Sequence, residues 1–371
     1  MIDGQFTLGV EEEYQIVHPE SRDLRSYVSE IMEEGGKTFL RERLRHELHQ
    51  SMVEVGTTIC RDVGEVRAQL TEMRGELDRL ARRGGLRIVA ASTHPFADWT
   101  TQPITENDRY ATIVNDMQDL ARANLIFGLH VHVGIRDKAE AVAMANQVRY
   151  FLPHLLALSC SSPFWLGRKT GLMSNRSHIF KRFPRTGIPD EFESYEQLEN
   201  FVKLLVRTGC IDNGKKIWWD VRAHYLYDTV EVRICDMPTR LEDTVALVAL
   251  VQALMAKLYL MYKRNTAWRS YHRSLIEENK WRAQRYGVQG TFATADGAIT
   301  VPEMLERVIE DTTADAVALG CTAEINRCRA IAGAGTSADA QLAVFEAHAG
   351  TAGRDAALRA VTEWIAAATL Q

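Results

Sequence analysis

Residues 9–17 read GVEEEYQIV, a short stretch that places three glutamates side by side near the start of the chain. Apolar residues recur here at alternate positions, which predicts a β-strand with one buried face formed by Phe6, Leu8, Val10, Tyr14 and Ile16. Glu11 and Glu13 then share the polar face, while Glu12 points into the apolar one. Because two parallel carboxylates repel each other, the pattern indicates either a solvated edge strand or a cation held between them.

The composition is that of a folded protein: 46% of the 371 residues are hydrophobic and 25% are charged. The net charge of -5 argues against a nucleic-acid partner, because domains that bind nucleic acid by bulk electrostatics are usually basic. The six cysteines form no CxxC pair, which favours reduced thiols in the cytoplasm.

Neither the N-terminal residues nor the most apolar stretch of the chain indicates a membrane protein. The first ten residues, MIDGQFTLGV, lack the basic region and apolar run of a signal peptide. The most apolar stretch, residues 245–262, is interrupted by Gln252 and Lys257, and we expect it to be a buried helix that is too short to span a bilayer. The sequence therefore predicts a cytoplasmic protein without a membrane partner.

The order of predicted elements indicates an α+β fold. Helices are predicted at 62–83, 107–123, 138–158 and 191–207, and strands at 6–17, 86–95, 124–135, 217–227 and 229–236. The last two strands form a hairpin, and residues 167–189 are predicted to be a long basic loop. From about residue 238 the chain is mainly helical and could support self-association as a homodimer. We expect one domain over residues 1–371.

Two further strands carry polar side chains on one face. In FGLHVHVGI, residues 127–135, His130 and His132 share a face, which fits either a metal site or two hydrogen-bonded histidines. In TVEVRICD, residues 229–236, Glu231 and Arg233 share a face and could form a simple salt bridge.

Glu47 and Glu54 are less informative. They lie in HELHQSMVEVGT, residues 46–57, at an odd separation that places them on opposite faces of an uninterrupted strand. A bulge or turn between them would bring them to one face; otherwise they are surface charges.

Carboxylates on several strands favour a hard ion such as Mg²⁺ or Mn²⁺, and a basic loop lies nearby in the sequence. That loop is either a solvated surface or a phosphate-binding element, and it contains Arg168, Lys169, Arg176, Lys181, Arg182 and Arg185. Metal-binding carboxylates and arginines are the groups that phosphoryl transfer from a nucleotide needs. No complete P-loop or GxGxxG motif is present, so ATP would have to bind through metal ions and arginines.

Seven segments in order resemble the YbdK-type carboxylate–amine ligases, which are glutamate–cysteine ligase family 2 within the glutamine-synthetase-like superfamily. They are LGVEEEYQIV (8–17), HELHQSMVEVGT (46–57), VAASTHPFADW (89–99), FGLHVHVGI (127–135), SNRSHIFKRFPRTGIP (174–189), WWDVRAHYLYDTVEVRICDMPT (218–239) and GTSADAQL (335–342). The resemblance implies a glutamine-synthetase-like curved, mostly antiparallel sheet that forms an active-site funnel, with helices packed outside.

The resemblance also implies the roles of single residues. The metal ligands would be Glu11, Glu13, Glu47, Glu54, His130 and Glu231, and the residues that contact ATP phosphates or a substrate carboxylate would be Arg233, Arg176 and Arg185. Glu12 would not be a ligand. The implied cofactors are ATP and Mg²⁺ or Mn²⁺.

The implied reaction joins a carboxylate to an amine through an acyl phosphate, with L-glutamate and L-cysteine giving γ-glutamylcysteine for glutathione biosynthesis. The same chemistry with another amine or carboxylate is one alternative. A non-catalytic nucleotide-binding member and a metal-dependent hydrolase on a parallel barrel, using His130 and His132, are two others.

Overall fold

A seven-stranded antiparallel sheet forms the centre of the protein in a computed structural model that describes residues 5–371. The inference about a signal peptide rests partly on residues 1–4, which lie outside the described residues. The strands are β1 (Leu8–Val17), β2 (Leu44–His46), β3 (Met52–Gly56), β4 (Arg87–Val89), β5 (Leu129–Gly134), β6 (Phe164–Trp165), β7 (Arg168–Lys169), β8 (Thr186–Gly187), β9 (Trp218–Trp219), β10 (Val221–Ala223), β11 (Thr229–Val232), β12 (Thr291–Thr294) and β13 (Gly297–Thr300). The strand order is β10-β11-β5-β1-β3-β2, and β4 also pairs with β1.

Helices cover one side of this sheet and continue to the end of the chain. They are α1 (Val28–Gly35), α2 (Val63–Arg83), α3 (Asp108–Met117), α4 (Asp119–Arg122), α5 (Lys138–Val148), α6 (Leu152–Ser159), α7 (Asn175–Phe180), α8 (Tyr195–Arg207), α9 (Leu241–Lys263), α10 (Arg273–Tyr286), α11 (Val301–Leu319), α12 (Thr322–Ala334), α13 (Ser337–Ala352) and α14 (Arg354–Ala368). Helix α2 begins where the Asp62 side chain accepts a hydrogen bond from the backbone of Glu65, as an N-cap residue does.

The two faces of β1 are as different as the alternation predicts. Glu12 and Tyr14 are fully buried on the helix side, while Glu11 and Glu13 lie on the opposite face. β1 occupies the middle of the sheet and pairs with β3, β4 and β5, so it is not a solvated edge strand. The edge-strand interpretation of the three glutamates is therefore wrong.

Helix α9 corrects the expectation that residues 245–262 are too short to cross a bilayer. The helix has 23 residues and, by length and composition alone, could span a membrane. However, 83% of its most apolar window is buried inside the protein. It packs against α2, α5, α11 and α12, as a core helix of a soluble protein does.

Several of the predicted elements differ in the structure. The helix expected at 138–158 divides into α5 and α6, the strand expected at 86–95 is reduced to β4, and the strand expected at 217–227 is divided into the short strands β9 and β10.

Residues 167–189 are not one long loop, because they contain β7, α7 and β8, and Ser174 caps α7 by accepting from the backbone of Ser177. The helix expected at 107–123 divides into α3 and α4 at Gln118, whose φ of 51° lies in the left-handed region.

The C-terminal part is mainly helical, as expected, but it also contains the hairpin β12–β13. The largest cluster of buried apolar side chains includes residues of both the sheet and the C-terminal helices, from Phe6 to Ala366. This shared core supports the expectation of one domain, which stays a prediction. The antiparallel pairing of β5 with β1 and β11 contradicts the parallel barrel on which the hydrolase alternative depends.

Candidate active site

Strand register brings acidic and imidazole side chains together on the face of the sheet opposite Glu12 and Tyr14. Across β1 and β3, Glu13 lies opposite Glu54, and across β1 and β5, Glu11 lies opposite His130. Across β5 and β11, His132 lies opposite Glu231. Directly opposed residues in antiparallel strands have Cβ atoms about 5 Å apart, so side chains from four strands meet in one place.

Three groups of these side chains have ligand atoms within 4.8 Å of one another. The groups are Glu11, Glu54 and His130; Glu11, His132 and Glu231; and Glu13, Glu47 and Glu54. Glu47 belongs to the turn between β2 and β3, and this turn resolves the odd separation from Glu54. The structure thus brings together all six residues that the resemblance implies as metal ligands, and it adds His132.

The carboxylates nearest β3 repel one another. Burial, followed by the negative charge of Glu47, raises the pKa of Glu13 to about 8. Burial, followed by the charges of Glu11, Glu47 and Glu13, raises the pKa of Glu54 well above its ordinary value. A divalent cation among these oxygens would remove the repulsion, so the donor set fits Mg²⁺ or Mn²⁺.

On the side of the cluster nearest β11, arginines compensate the negative charge of the carboxylate. Burial alone would raise the pKa of Glu231, but the charges of Arg233 and Arg222 outweigh it and hold the pKa well below its ordinary value. The Arg222 Nε lies 2.6 Å from a Glu231 oxygen, and Arg233 contacts the other oxygen. Glu231 and Arg233 do form a salt bridge, and it lies within the cluster.

The two histidines differ in their surroundings. Burial, followed by the charge of Arg233, lowers the pKa of His130 to about 4, and the His130 Nδ1 lies 2.9 Å from a Glu11 oxygen. The His132 Nδ1 lies 3.1 Å from the Thr229 hydroxyl oxygen. Its Nε2 is buried, has no hydrogen-bond partner within residues 5–371, and lies 3.7 Å from a Glu11 oxygen. An unpartnered imidazole nitrogen beside two carboxylates is the second feature that fits a cation.

Two cavities are lined by side chains of the cluster. The first, of about 520 Å³, contains the six carboxylate and histidine side chains together with Arg176, Arg222 and Arg233. The second, of about 1030 Å³, shares Glu11 and Glu54 with the first and is also lined by His132. The acidic cluster therefore separates two spaces, each large enough for a small ligand.

The arginines from the basic segment do not all reach the site. Arg176, on α7, lines the first cavity. Arg185 lines neither cavity in the part of the chain that the structure describes; its Nε donates to the Lys216 carbonyl oxygen at 3.0 Å, and its guanidinium lies over the Trp218 ring. The structure therefore does not place Arg185 beside the cluster.

The sequence missed Arg222 as a partner of Glu231, and it left the role of His132 open between a metal ligand and a hydrogen-bonded histidine. Arg222 lies opposite Glu231 in the β10–β11 hairpin, so pairing the two predicted strands residue by residue could have found it. His132 had the required spacing from His130, but the sequence did not reveal which residues faced it.

A family model described as glutamate–cysteine ligase family 2 matches residues 7–359. The chain belongs to glutamate–cysteine ligase family 2. A relative from Sorangium cellulosum, provisionally named glutamate–cysteine ligase 2, is 62% identical over 348 residues, 93% of each chain. A relative from Solibacter usitatus with the same provisional name is 50% identical and covers 91% of this chain and 89% of its own length.

Solved structures show that this family 2 chain shares a fold with more distant proteins. A glutamate–cysteine ligase from Francisella tularensis in complex with AMP has a TM-score of 0.69 at 11% identity, covering 99% of this chain and 89% of the other. A bifunctional glutathione synthetase from Pasteurella multocida has a TM-score of 0.69 at 14% identity, covering 98% of this chain and 53% of the other. At these identities the likeness concerns the fold, and it confirms the α+β architecture expected from the sequence.

Proposed function

We propose that this ligase-family member is an ATP-dependent carboxylate–amine ligase that forms γ-glutamylcysteine from L-glutamate and L-cysteine. The observation that carries the proposal is the cluster of carboxylates and imidazoles, flanked by Arg233 and Arg176, where two cavities meet. Such a cluster suits a triphosphate held through divalent cations, with a second substrate arriving from the other cavity. The AMP complex of the Francisella tularensis ligase, a protein of the same fold, supports nucleotide use.

The residues that would hold Mg²⁺ are Glu11, Glu13, Glu47, Glu54, His130 and Glu231, with His132 as a further candidate. When bound, these ions shield the phosphate charge that otherwise repels an incoming carboxylate. The chain supplies oxygen and imidazole donors in fixed positions, because each is anchored in a strand or in the short β2–β3 turn.

The proposed reaction proceeds in two steps. A substrate carboxylate oxygen attacks the γ-phosphorus of ATP, ADP leaves, and an acyl phosphate forms. The amine of the second substrate then attacks the acyl carbon, inorganic phosphate leaves, and the amine loses a proton as the amide forms. Arg233 and Arg176 face this space and would stabilise the charge on the transferring phosphoryl group or on a substrate carboxylate. The scheme requires no nucleophile from the protein.

The first alternative is a ligase that uses another amine or carboxylate, which would preserve the chemistry. A non-catalytic, nucleotide-binding member is the second alternative. The cytoplasmic location, the lack of nucleic-acid and membrane partners, and self-association as a homodimer remain predictions from the sequence, as does a contact between Arg185 and a ligand.

The test is ADP release from Mg·ATP with L-glutamate, with and without L-cysteine, followed by a panel of other amines. We expect turnover that needs both amino acids, with γ-glutamylcysteine identified by mass spectrometry. The variant Glu13→Gln should lose turnover while remaining folded, and Glu72→Gln, an exposed glutamate on α2, is the matched control. Turnover with a different amine would change the substrate assignment. No turnover with any pair in folded, metal-loaded protein would favour the non-catalytic alternative.

A further inference from the structure

Arg176 reaches the first cavity from the short helix α7 and not from the sheet. The residue is only 4% exposed, and its terminal nitrogens donate to the carbonyl oxygens of Arg233 and Ile234, each at 3.3 Å. The Nε of Arg176 is buried and has no partner within residues 5–371. A guanidinium has five N–H donors, and the two carbonyl oxygens use two of them, so Arg176 keeps donors for a ligand oxygen in the first cavity that it lines.

The position of α7 depends on Asp236, a fully buried carboxylate that lines neither cavity. One Asp236 oxygen accepts from the Ser161 backbone at 3.0 Å and from the Ser162 hydroxyl at 2.7 Å. The other oxygen accepts from the Ser174 hydroxyl at 2.8 Å. Asp236 thus fixes the orientation of two serine hydroxyls that lie on either side of the start of α7.

These two hydroxyls in turn bind the backbone of α7. The Ser162 oxygen accepts from the Arg176 backbone N–H at 3.0 Å, and the Ser174 oxygen accepts from the Ser177 N–H at 3.4 Å. A hydroxyl has one hydrogen, and a carboxylate can only accept. Because both serines donate their hydrogen to Asp236, their lone pairs are left to face α7.

Gly128 provides the space into which Arg176 extends. A Cβ atom at Gly128 would lie 2.3 Å from a terminal nitrogen of Arg176 and 3.0 Å from its central guanidinium carbon. The Gly128 backbone N–H also donates to a Glu13 oxygen at 2.6 Å. Glycine is needed here for the close approach of the guanidinium to the strand.

We propose that Asp236 is a positioning residue that holds Arg176, through Ser162 and Ser174, where its guanidinium binds an oxyanion of a substrate. Gly128 leaves the room that this position requires. The inference rests on the proposed ligase function. The oxyanion is either a phosphate of ATP or a carboxylate of the amino-acid substrate, since both offer the same acceptor oxygens.

The test compares steady-state constants for ATP and for glutamate in Asp236→Ala, Gly128→Ala and Arg176→Lys. We expect all three variants to raise the same KM by roughly tenfold, the effect of one lost charge-assisted hydrogen bond, with a smaller change in kcat. A raised KM for ATP identifies a phosphate, and a raised KM for glutamate identifies a carboxylate. Asp236→Asn, which keeps one acceptor oxygen, should recover part of the loss.

Ser159→Ala is the matched control. The Ser159 hydroxyl is buried next to Asp236, where it accepts from the Asp236 backbone N–H at 3.1 Å, but it makes no hydrogen bond with the Asp236 carboxylate. This variant should lower the unfolding temperature without raising that KM. The inference is wrong if Asp236→Ala, like Ser159→Ala, lowers only the unfolding temperature. It is also wrong if Asp236→Ala leaves unchanged the KM that Arg176→Lys raises.

Calorimetric titrations with a Mg²⁺ complex of a non-hydrolysable ATP analogue and with L-glutamate separate the two proposals, because binding needs no turnover. If Asp236→Ala and Gly128→Ala bind one ligand more weakly than a wild-type protein that turns over no substrate pair, this result would support the positioning role and contradict the ligase function. Unchanged binding of both ligands would overturn the positioning role.

Discussion

Glu54 shows, in a single side chain, how a site for a cation lowers the stability of the metal-free protein. Its pKa is raised well above the ordinary value because it is buried and because Glu11, Glu47 and Glu13 surround it. At a pH above the ordinary glutamate pKa, the unfolded chain releases this proton more readily than the folded chain. The free energy of unfolding therefore falls as pH rises from that value towards the raised pKa of the folded state.

We expect Glu54→Gln to raise the free energy of unfolding of the metal-free protein at pH 8, by about 1 kcal/mol or more, because a neutral amide removes one repelling charge. The same substitution should abolish Mg²⁺-dependent ADP release. Thermal unfolding in EDTA and in MgCl₂ measures the first effect, and wild type should gain markedly more unfolding temperature from Mg²⁺ than Glu54→Gln does.

Glu72→Gln, on the exposed face of α2, should behave as wild type in both buffers. A Glu54→Gln protein that unfolds at a lower temperature than wild type in EDTA would contradict the proposed repulsion.

At the scale of elements, one arginine anchors the buried face of β1, opposite the face that carries Glu11 and Glu13. Arg74 on α2 forms a buried ion pair with Glu12, whose carboxylate also accepts from the Tyr14 hydroxyl. Arg74 further donates to the carbonyl oxygens of Thr239 and Thr369, at 3.0 and 2.9 Å. The strand that carries Glu11 and Glu13 is thus fixed to a helix and to two distant segments.

We expect Arg74→Ala to lower the free energy of unfolding by about 3–5 kcal/mol, because it leaves the Glu12 carboxylate buried without its partner. The double variant Glu12→Leu with Arg74→Met should be more stable than Arg74→Ala, since it removes both charges and fills the space. Urea unfolding at pH 7.5 measures these differences.

Arg79→Ala, in the same helix but exposed and paired with Glu76, should change the stability by less than about 1 kcal/mol. Equal stability of Arg74→Ala and Arg79→Ala would show that the buried pair does not hold the strand.

The elements with strong periodicity could be predicted from the sequence, and those set by tertiary contacts could not. β1, β5 and the β10–β11 hairpin follow from alternating side chains, and α2 follows from its apolar spacing and its Asp62 cap. Helix α7 has six residues in a basic segment, and its capping Ser174 is held by Asp236, 62 positions away in the sequence. No local pattern reports such a contact.

The candidate site was predictable to a similar degree. Glu11 and Glu13 stand out because a polar pair interrupts an apolar strand, whereas Glu47 required the resemblance, since only the turn after β2 turns it towards Glu54. Arg222 became recognisable only once the strand register was known, and the same register placed His132, a candidate by its spacing from His130, opposite Glu231. Arg185 was expected to contact a ligand, but although it belongs to the same basic segment as Arg176, it does not lie beside the cluster.

For the molecule as a whole, buried histidines should govern its response to mild acid. Burial lowers the pKa of both His94 and His154 to about 4. His94 is held neutral by three hydrogen bonds: its Nδ1 accepts from the backbones of Phe96 and Ala97, and its Nε2 donates to the Arg22 carbonyl oxygen at 2.8 Å. These bonds join the loop after β4 to the turn after β1.

We expect these buried histidines to make the free energy of unfolding fall as pH decreases from about 6.5 to about 4, which opposes the contribution of Glu54 in the same range. In this pH range the histidines bind protons in the unfolded chain but not in the folded chain. Each histidine therefore lowers the free energy of unfolding by up to about 1.4 kcal/mol per pH unit. Urea unfolding between pH 7 and pH 4 measures the slope, and His94→Gln, which has no titrating ring, should make it shallower. A slope that is unchanged in His94→Gln would contradict the assignment.

The contact between Arg74 and the Thr369 carbonyl spans 295 positions of the sequence, and it bears on the order in which the protein is made. The strand that carries Glu11 and Glu13 leaves the ribosome long before the Thr369 carbonyl group that helps to fix it through Arg74. A nascent chain that has not reached residue 369 therefore has a buried arginine with an unfilled donor beneath β1. Formation of the complete site is thus coupled to synthesis of the chain as far as residue 369, and chains truncated before that residue should hold the cluster only loosely.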